Sequence, residues 1–528
     1  MSFFSVEDSE APRRELPLFF TPTPMWGTAL FNRWTENPGS CILKTVIYHS
    51  TNNKRERVNF ETALMNGLAS NYGLYMISGN DIPKLSSETL KSMKGMSYAR
   101  IAFAVLNPFL SAEVKEKDLK AMLDDAYDDT IIPTTIQHLT GQTHIMWLTQ
   151  GPTYSFKDYA ARFFGRMLNY FLKQSGKKRI VAVATSGDTG GAVADALHGL
   201  ESIDNIVFFP KGSITERQRR QMTTLGDNIY AFEVNGDFDV CQALAKRMLG
   251  DKVFAKDFFD DADRFTSANS ISVGRLLPQS VYPFFAYSRV AEYDEPMIAG
   301  VPSGNFGDMM GTVLAREMGL PIERIICGVN ENDEFPQFLD TDVYRVKPSR
   351  KSPSSAMIVS NPSNFARLID LYGGHVYDER DETGKVTREG VMDVPPDLDA
   401  MRKDFWSTSV SNPDHYTAIR EVWEQYGIMM EPHGAVGWRA LDTFLGGRHE
   451  RLAVIYETAD PGKFPDEVKK AIDVVPDVPE RISKQATLPE RIYTIDDPPF
   501  TREDGSLTMS ESQYDTAKRI ITDSVLED

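Results

Sequence analysis

Apolar runs alternate with amphipathic helical segments over much of this 528-residue chain. The pattern predicts a first series of strands and helices over residues 179–249 and a second over residues 297–327. Strands that alternate with helices in this way are typical of βαβ units and parallel sheets. We therefore predict an α/β fold with two doubly wound parallel-sheet lobes and a cleft between them.

The same pattern divides the chain into four regions. Residues 1–40 are rich in proline and aromatic side chains, which predicts an irregular N-terminal arm. Residues 41–130 predict an α+β domain that is mostly helical from Ser86 onward, with an interruption at Pro108. Residues 131–475 hold the two lobes, together with a polar surface excursion over residues 376–400. Residues 476–528 have little core-forming periodicity and predict a C-terminal extension that wraps the surface or is partly disordered.

Composition and charge exclude several classes of partner. The net charge of −18 and the pI of about 5.0 argue against nucleic acid or an anionic membrane surface. Three widely spaced cysteines indicate neither a disulfide framework nor a metal site. The N-terminus lacks a basic region before an apolar run, and no apolar run approaches the ~20 residues of a membrane span. We expect a cytoplasmic protein, monomeric or homodimeric, that acts on a small molecule.

One octapeptide, Gly151 to Asp158, organises the chemistry. It lies between an apolar strand-like run and a segment with helical spacing, so Lys157 falls at the start of a helix. The helix dipole and burial there disfavour the charged form of Lys157, as a nucleophilic, Schiff-base lysine requires. Taken alone, the octapeptide favours an ordinary surface lysine in a first helical turn, and only the other motifs along the chain reverse that preference.

Two glycine-rich turns follow predicted strands, and each suits an anion. In the turn from Ala184 to Ala192, glycine, serine and threonine present N–H groups and hydroxyls at a helix start, although capping explains them as well. In the turn from Val301 to Asp308, Gly304 and Gly307 let the backbone close around a phosphate. The second turn lacks a Walker ending and a dinucleotide fingerprint, so nucleotide binding is the weaker interpretation.

A third turn and a polar stretch complete the set of candidates. At the end of a predicted strand, Thr458 is suited to hydrogen-bond a cofactor ring nitrogen, and Lys463 supplies positive charge. Asn269 precedes an apolar helix and is explained equally well as an N-cap. Arg275 lies within that helix, where an unpaired guanidinium is costly, so we expect it to meet an anion.

In their order along the chain, these motifs resemble those of threonine synthases. The resemblance extends over about residues 43–473 and includes Gly-Pro-Thr-Tyr-Ser-Phe-Lys-Asp, Ala-Thr-Ser-Gly-Asp-Thr-Gly, Pro-Ser-Gly-Asn-Phe-Gly-Asp and Glu-Pro-His-Gly-Ala-Val-Gly. It implies a pyridoxal-phosphate-dependent lyase that converts O-phosphohomoserine and water into threonine and phosphate. The implied cofactor residues are Lys157, Asp188, Ser303, Gly304, Asn305, Phe306, Gly307, Asp308 and Thr458. The implied substrate residues are Ser155, Thr185, Ser186, Gly187, Thr189, Asn269, Arg275 and Lys463.

Six positions depart from the usual threonine synthase pattern, and most border the expected substrate rather than the cofactor. They are Gln150, Ser213, Ile358, Gly434, Glu457 and Asp460. An acid at position 460 stands near Lys463, and pairing between them would leave Lys463 less available to a phosphate. The alternatives are therefore a divergent relative that performs elimination or replacement on a related amino acid, and a catalytically silent scaffold of the same fold.

Overall fold

The computed structural model describes residues 45–381, 386–502, 505 and 507–525. The predicted arm over residues 1–40 lies outside these residues, as does Cys41. From residue 45 to residue 130, the described part of the chain holds three short strands and four helices. These are β1 (Tyr48–Ser50), β2 (Asn53–Val58), α1 (Phe60–Asn66), β3 (Tyr75–Ile77), α2 (Ser87–Ser92), α3 (Tyr98–Leu110) and α4 (Glu116–Ala126).

This first part is an α+β arrangement, as the pattern predicts. The strands form an antiparallel sheet in the order β2-β1-β3. The Asn59 side chain accepts from the N–H of Thr62 and caps α1. Pro108 does not interrupt the helix, because it lies inside α3 only two residues before the last residue, Leu110. Its missing N–H therefore costs a single hydrogen bond near the end of the helix.

The middle of the chain alternates strands and helices. Its elements are β4 (Thr135–Thr140), β5 (Thr143–Trp147), α5 (Lys157–Ser175), β6 (Arg179–Ala184), α6 (Asp188–Leu197), β7 (Ile203–Pro210), α7 (Glu216–Thr223), β8 (Ile229–Val234), α8 (Phe238–Gly250), α9 (Lys252–Phe259), β9 (Phe265–Ser267), α10 (Val273–Leu276) and α11 (Val281–Val290). A turn of 3₁₀ helix, Leu277–Ser280, joins α10 to α11. The predicted strands over residues 179–184 and 229–234 are confirmed.

The last part repeats this alternation and then adds a tail. Its elements are β10 (Met297–Pro302), α12 (Gly307–Glu317), β11 (Ile322–Val329), α13 (Glu334–Thr341), α14 (Phe365–Leu371), β12 (His375–Arg380), β13 (Val386–Val394), α15 (Leu398–Asp404), β14 (Phe405–Ser409), α16 (Asn412–Tyr426), α17 (Pro432–Leu445), β15 (Ala453–Glu457), α18 (Pro465–Ile472), α19 (Glu480–Gln485), β16 (Ile492–Ile495), β17 (Phe500–Thr501), β18 (Leu507–Thr508) and α20 (Glu511–Val525). Short 3₁₀ turns occur at Gly79–Asp81, Ser355–Met357 and Pro461–Lys463.

Two sheets form the two lobes. One has five parallel strands in the order β16-β8-β7-β6-β9. The other has six strands in the order β14-β11-β10-β15-β5-β4, all parallel except β4, which runs antiparallel to β5. Helix α5 leaves the six-stranded sheet after β5 and leads into β6 of the five-stranded sheet. The carboxyl ends of these strands are where a doubly wound fold places its ligands.

The polar stretch over residues 376–400 contains an antiparallel hairpin of β12 and β13. Most residues described in this hairpin are partly or fully exposed, which agrees with a surface excursion. The polar composition concealed the strands because, among the described residues of the hairpin, only Val376 is buried in the core.

The C-terminal region differs from the expectation of little core-forming structure. Strand β16 pairs with β8 and forms one edge of the five-stranded sheet. On α20, Tyr514, Ala517 and Ile521 are buried in the hydrophobic cluster on one face of that sheet. These apolar positions recur three to four residues apart, so one side of α20 packs while the other stays in solvent.

The main core links both sheets through the helices between them. On α5, Tyr159, Phe163 and Phe171 are buried in it. The helix ends where Gly176 adopts a left-handed conformation with φ of 66°. No helix within the described ranges is long and apolar enough to cross a membrane.

Candidate active site

Lys157 is the first residue of α5, and the loop before it is fixed to the end of β15. The Phe156 N–H donates to the Thr458 carbonyl at 2.9 Å, and the Asp460 N–H donates to the Tyr154 carbonyl at 3.1 Å. An isolated bridge joins Ser155 to Ala459 between these bonds. The lysine-bearing loop and the Thr458 loop are therefore held side by side, although 301 positions separate residues 157 and 458.

The surroundings of Lys157 favour its neutral form. Burial lowers the pKa of Lys157, and the positive charges of Lys463 and Arg275 act in the same direction. The carboxylates of Asp188 and Asp308 partly oppose this shift. The Lys157 side chain keeps 16% of its surface exposed, so it is not completely enclosed. A partly accessible lysine with a lowered pKa is suited to nucleophilic chemistry.

Asp188 is the acid closest to this lysine. Its Oδ2 lies 4.0 Å from Lys157 Nζ, and its Oδ1 lies 2.6 Å from Lys463 Nζ. Gln218 Nε2 also donates to Asp188 Oδ1 at 2.9 Å. Burial alone would raise the pKa of Asp188, but the charges of Lys463 and Lys157 outweigh burial and hold it below its ordinary value. Asp188 is thus a fixed negative charge between two lysines.

Lys463 already has two acceptors. Besides the contact with Asp188, its Nζ donates to the Thr153 carbonyl at 2.9 Å, and its side chain is completely buried. The acid at position 460 does not replace Asp188 as its partner, because the Asp460 side chain accepts from the Gly462 N–H. Lys463 therefore closes the site around Asp188, and this contact occupies the amine that the resemblance assigns to a substrate phosphate.

The loop from Thr185 to Thr189 is organised by its first side chain. The Thr185 hydroxyl accepts from the N–H groups of Gly187 and Gly190, both at 2.9 Å. Thr185 is buried, whereas Ser186 is exposed and Thr189 is half-buried. The Thr185 hydroxyl therefore shapes the loop, and the side chains of Ser186 and Thr189 are the accessible ones.

The loop from Ser303 to Asp308 has the features of an anion site. The N–H groups of Gly304, Asn305 and Phe306 have no acceptor within the described residues, and they lead directly into the N-terminus of α12. Free N–H groups at a helix start suit a phosphate. A Cβ at Gly304 would lie 2.8 Å from Met357 Cα, so only glycine fits there.

Two side chains of this loop have different surroundings. The Asn305 Oδ1 accepts from the Ser363 N–H at 2.6 Å, and its amide donates to the Ser270 hydroxyl, which joins the loop to the stretch that begins at Asn269. Asp308 is buried, and it interacts electrostatically with Lys157. Burial raises the pKa of Asp308 to about 7, against the opposing effects of backbone N–H groups and Lys157.

Asn269 and Arg275 lie on the approach to the same site. The Asn269 amide donates to the Ala184 carbonyl at 3.3 Å, next to the Thr185 loop. Arg275 Nη1 donates to the Ala268 carbonyl at 2.6 Å, and its Nε has no partner within the described residues. Burial lowers the pKa of Arg275 to about 10. The Nε–H of Arg275 is thus an unused donor, as we expect for a residue that binds an anion.

Several supporting residues were not identified from the sequence. Gln218 fixes Asp188, and Arg367 donates to the carbonyls of Ser270 at 3.2 Å and Ile271 at 2.5 Å. The Tyr282 hydroxyl donates to the Phe156 carbonyl at 3.0 Å, next to Lys157. Because these residues come from distant helices, sequence spacing alone did not connect them to the site.

Comparison with known proteins agrees with this geometry. Residues 145–389 match the family model of pyridoxal-phosphate dependent enzymes, which is the class of protein that the fold and site define. Residues 47–127 match the threonine synthase N terminus, and residues 434–501 match the threonine synthase C-terminal model. The chain belongs to the threonine synthase family.

Three relatives illustrate the extent of the similarity. Threonine synthase of Pseudomonas aeruginosa is 33% identical over 449 residues, covering 83% of this chain and 92% of the relative. The crystal structure of PLP-bound threonine synthase from Brucella melitensis superposes with a TM-score of 0.78 at 30% identity, covering 91% of this chain and 99% of that one. Yeast threonine synthase also gives 0.78, at 28% identity, covering 92% of this chain and 99% of that one.

Proposed function

We propose that this protein is a pyridoxal-phosphate-dependent threonine synthase that converts O-phosphohomoserine and water into threonine and phosphate. The observation that carries the proposal is the meeting of Lys157, Asp188 and the Thr458 loop at the carboxyl ends of strands from both sheets. The threonine synthase relatives support the same reaction.

The residues present fit the cofactor. The free N–H groups from Gly304 to Phe306 would hold its phosphate, and Lys157 would form the covalent link. The Thr458 hydroxyl, which makes no hydrogen bond within the described residues, would face the ring nitrogen. When bound, pyridoxal phosphate withdraws electrons from the carbon atoms next to the substrate amine.

The chain supplies proton transfer and charge. The Lys157 amine would take a proton from Cα of the bound substrate, return that proton to the conjugated carbon system of the bound substrate, and only then take a second proton from Cβ. Its lowered pKa leaves it neutral more often than an exposed lysine, as each removal requires. Phosphate leaves from Cγ, and water adds at Cβ. Asp188 holds its negative charge beside Lys157 and stabilises the protonated amine between these steps.

Lys463 is a weaker ligand for the substrate phosphate than the resemblance implies. That amine is committed to Asp188 and Thr153, so Arg275 and the hydroxyls of Ser186 and Thr189 are the better phosphate or carboxylate ligands. The engaged Lys463 is also the observation that favours the alternative, a divergent relative that acts on a related amino acid by elimination or replacement.

The remaining features of the proposal concern organisation. We propose that residues 41–130 form the N-terminal domain, residues 131–475 the catalytic region and residues 476–528 an extension that completes the five-stranded sheet. The proposed compartment is the cytoplasm and the proposed state a monomer or homodimer. The acidic net charge of −18 supports a small-molecule rather than a nucleic-acid partner.

The test is a coupled assay of the purified protein with pyridoxal phosphate. We expect phosphate and threonine to form in equal amounts from O-phosphohomoserine. Lys157→Ala should lower the rate by about 10³-fold or more, because proton transfer and cofactor attachment both depend on this amine. Lys117→Ala, at an exposed lysine on α4, is the matched control.

The alternatives predict different results. Phosphate release without threonine, or turnover of another amino acid in its place, would favour the divergent relative. A protein that binds no pyridoxal phosphate and releases no phosphate would contradict the proposed function and favour the silent scaffold.

A further inference from the structure

The carboxyl group of Glu457 occupies space that a side chain at position 434 would fill. Glu457 is the last residue of β15 and is fully buried. A Cβ added to Gly434, in the first turn of α17, would lie 1.5 Å from Glu457 Oε2 and 2.3 Å from its carboxyl carbon. A glycine at 434 and a glutamate at 457 are therefore sterically matched, since any larger residue at 434 displaces the carboxyl group.

Glu457 also contacts the beginning of α17 through hydrogen bonds. The Glu431 N–H donates to Glu457 Oε1 at 3.0 Å. The Glu431 side chain in turn caps the helix, because it accepts from the N–H groups of His433 at 2.9 Å and Gly434 at 3.0 Å. The remaining oxygen, Glu457 Oε2, has no hydrogen-bond partner within the described residues.

The charged groups near Glu457 favour its protonated, uncharged form. Glu431 and Asp460 face it, and burial together with these two acids raises the pKa of Glu457 well above its ordinary value. His433 Nδ1 contacts Glu431, while its Nε2 accepts from the Ala356 N–H at 3.0 Å, which requires the neutral ring. His415, on α16, is buried and feels the charges of His433 and Glu431, and burial lowers its pKa, so it adds little positive charge.

These contacts reach the site from two directions. The Leu148 N–H donates to the Glu457 carbonyl at 3.0 Å, and the next residue, Thr458, accepts from the Phe156 N–H beside Lys157. On the other side, the His433 ring accepts a hydrogen bond from the Ala356 N–H. The Ala356 carbonyl oxygen packs against Gly304, only 2.9 Å from the place that a Cβ at position 304 would occupy. A shift of Glu457 would therefore move both the Thr458 loop and Ala356, which packs against the Gly304 loop.

We propose that Glu457 is a positioning residue of this active site, and that it acts as a matched pair with Gly434. The uncharged carboxyl group fills the gap above Gly434, holds Glu431 at the start of α17, and thereby sets the places of Thr458 and Gly304. The inference rests on the proposed function, since it assigns Glu457 a role in arranging the cofactor loops.

The experiment measures the affinity of the apoprotein for pyridoxal phosphate by absorbance titration, with circular dichroism to verify folding. The variants are Glu457→Gln, Glu457→Ser, Gly434→Ala and the double variant Gly434→Ala with Glu457→Ser. Glu424→Ser, at an exposed glutamate on α16, is the matched control. Titrations from pH 6 to pH 9 compare the wild type with Glu457→Gln.

Gly434→Ala should weaken cofactor binding by about 10-fold or more, because its Cβ displaces the carboxyl group. The double variant should recover to within about 3-fold of Glu457→Ser alone, since the obstructing carboxyl group is gone. Glu457→Gln should bind like the wild type at pH 6 and lose affinity less steeply as the pH rises, because an amide has no proton to release.

Three results would overturn the inference: unchanged binding by Gly434→Ala, a double variant no better than Gly434→Ala, or identical pH dependence for the wild type and Glu457→Gln. If Gly434→Ala alone fails to fold, recovery of folded, cofactor-binding protein by the added Glu457→Ser supports the pairing, and failure to recover contradicts it. A wild-type protein that binds no pyridoxal phosphate would overturn the proposed function as well, which separates the two failures.

Discussion

Two buried acids, one associated with each sheet, differ in the groups around them. Asp188 follows β6 of the five-stranded sheet and has Lys463 Nζ at 2.6 Å and Lys157 Nζ at 4.0 Å. Glu457 ends β15 of the six-stranded sheet and has Glu431 and Asp460 as its charged neighbours. The pKa of Asp188 is held below its ordinary value, whereas that of Glu457 is raised well above it.

The difference shows that burial does not by itself decide the charge of an acid. Both carboxyl groups lose contact with water, which favours the protonated form in each. Among the residues that the structure describes, cations lie close enough to reverse that preference at Asp188 but not at Glu457. One acid therefore provides a permanent negative charge beside the reactive lysine, and the other provides an uncharged spacer behind the Thr458 loop.

The largest expected effect comes from removing the cation that distinguishes the two sites. Lys463→Met leaves Asp188 buried with only the more distant Lys157, and breaking a buried ion pair costs about 3–5 kcal/mol. Urea denaturation should show this loss in the free energy of unfolding. Lys469→Met, at an exposed lysine on α18, serves as the control. Equal losses in the two variants would show that Lys463 does not stabilise Asp188.

A smaller effect should separate neutral substitutions at the two acids. Asp188→Asn removes the partner of the buried Lys463, so we expect a loss of about 3 kcal/mol in the free energy of unfolding. Glu457→Gln exchanges one uncharged group for another and should cost less than about 1 kcal/mol at pH 6. Denaturation of both variants measures the contrast. The account of Glu457 would be wrong if its amide variant were as unstable as Asp188→Asn.

The smallest expected effect is a difference in pH dependence. The stability that Asp188 contributes is present above its unfolded pKa of about 3.9 and is lost as the pH falls, because its folded pKa is lowered. The contribution of Glu457 is complete below its unfolded pKa of about 4.3 and is lost as the pH rises, because its folded pKa is raised.

Unfolding measured from pH 4 to pH 9 tests this opposition. The wild type should lose stability relative to Glu457→Gln as the pH rises, by no more than about 1.4 kcal/mol per pH unit for one proton. Glu424→Gln should follow the wild type throughout. Parallel curves for the wild type and Glu457→Gln would contradict a protonated Glu457.

Local sequence patterns predicted the elements that carry the reactive groups. The period of apolar residues after Lys157 predicted α5, and alternating apolar runs predicted β6 and β8, because in these elements the buried face follows directly from spacing. The glycine-rich turns were recognised as candidate anion sites because glycine and hydroxyl residues stand together at a strand-to-helix junction, where they can bind an anion or cap the helix.

The features that the sequence did not reveal depend on distant partners. Strand β16 is four residues long and gains its place only by pairing with β8, some 260 positions earlier. The pairing of Lys463 with Asp188, and not with Asp460, depends on where three loops meet. The match between Gly434 and Glu457 is likewise visible only when α17 lies against β15. No periodicity encodes such contacts.

The central claim is that Lys157 carries the cofactor. The most direct measurement treats the protein, loaded with pyridoxal phosphate, with borohydride to make the bond between cofactor and lysine permanent, and then locates the added mass by peptide mass spectrometry. The account predicts a single modified peptide that contains Lys157, and none in Lys157→Ala. Modification of Lys463 or of another lysine, with Lys157 unmodified, would contradict it.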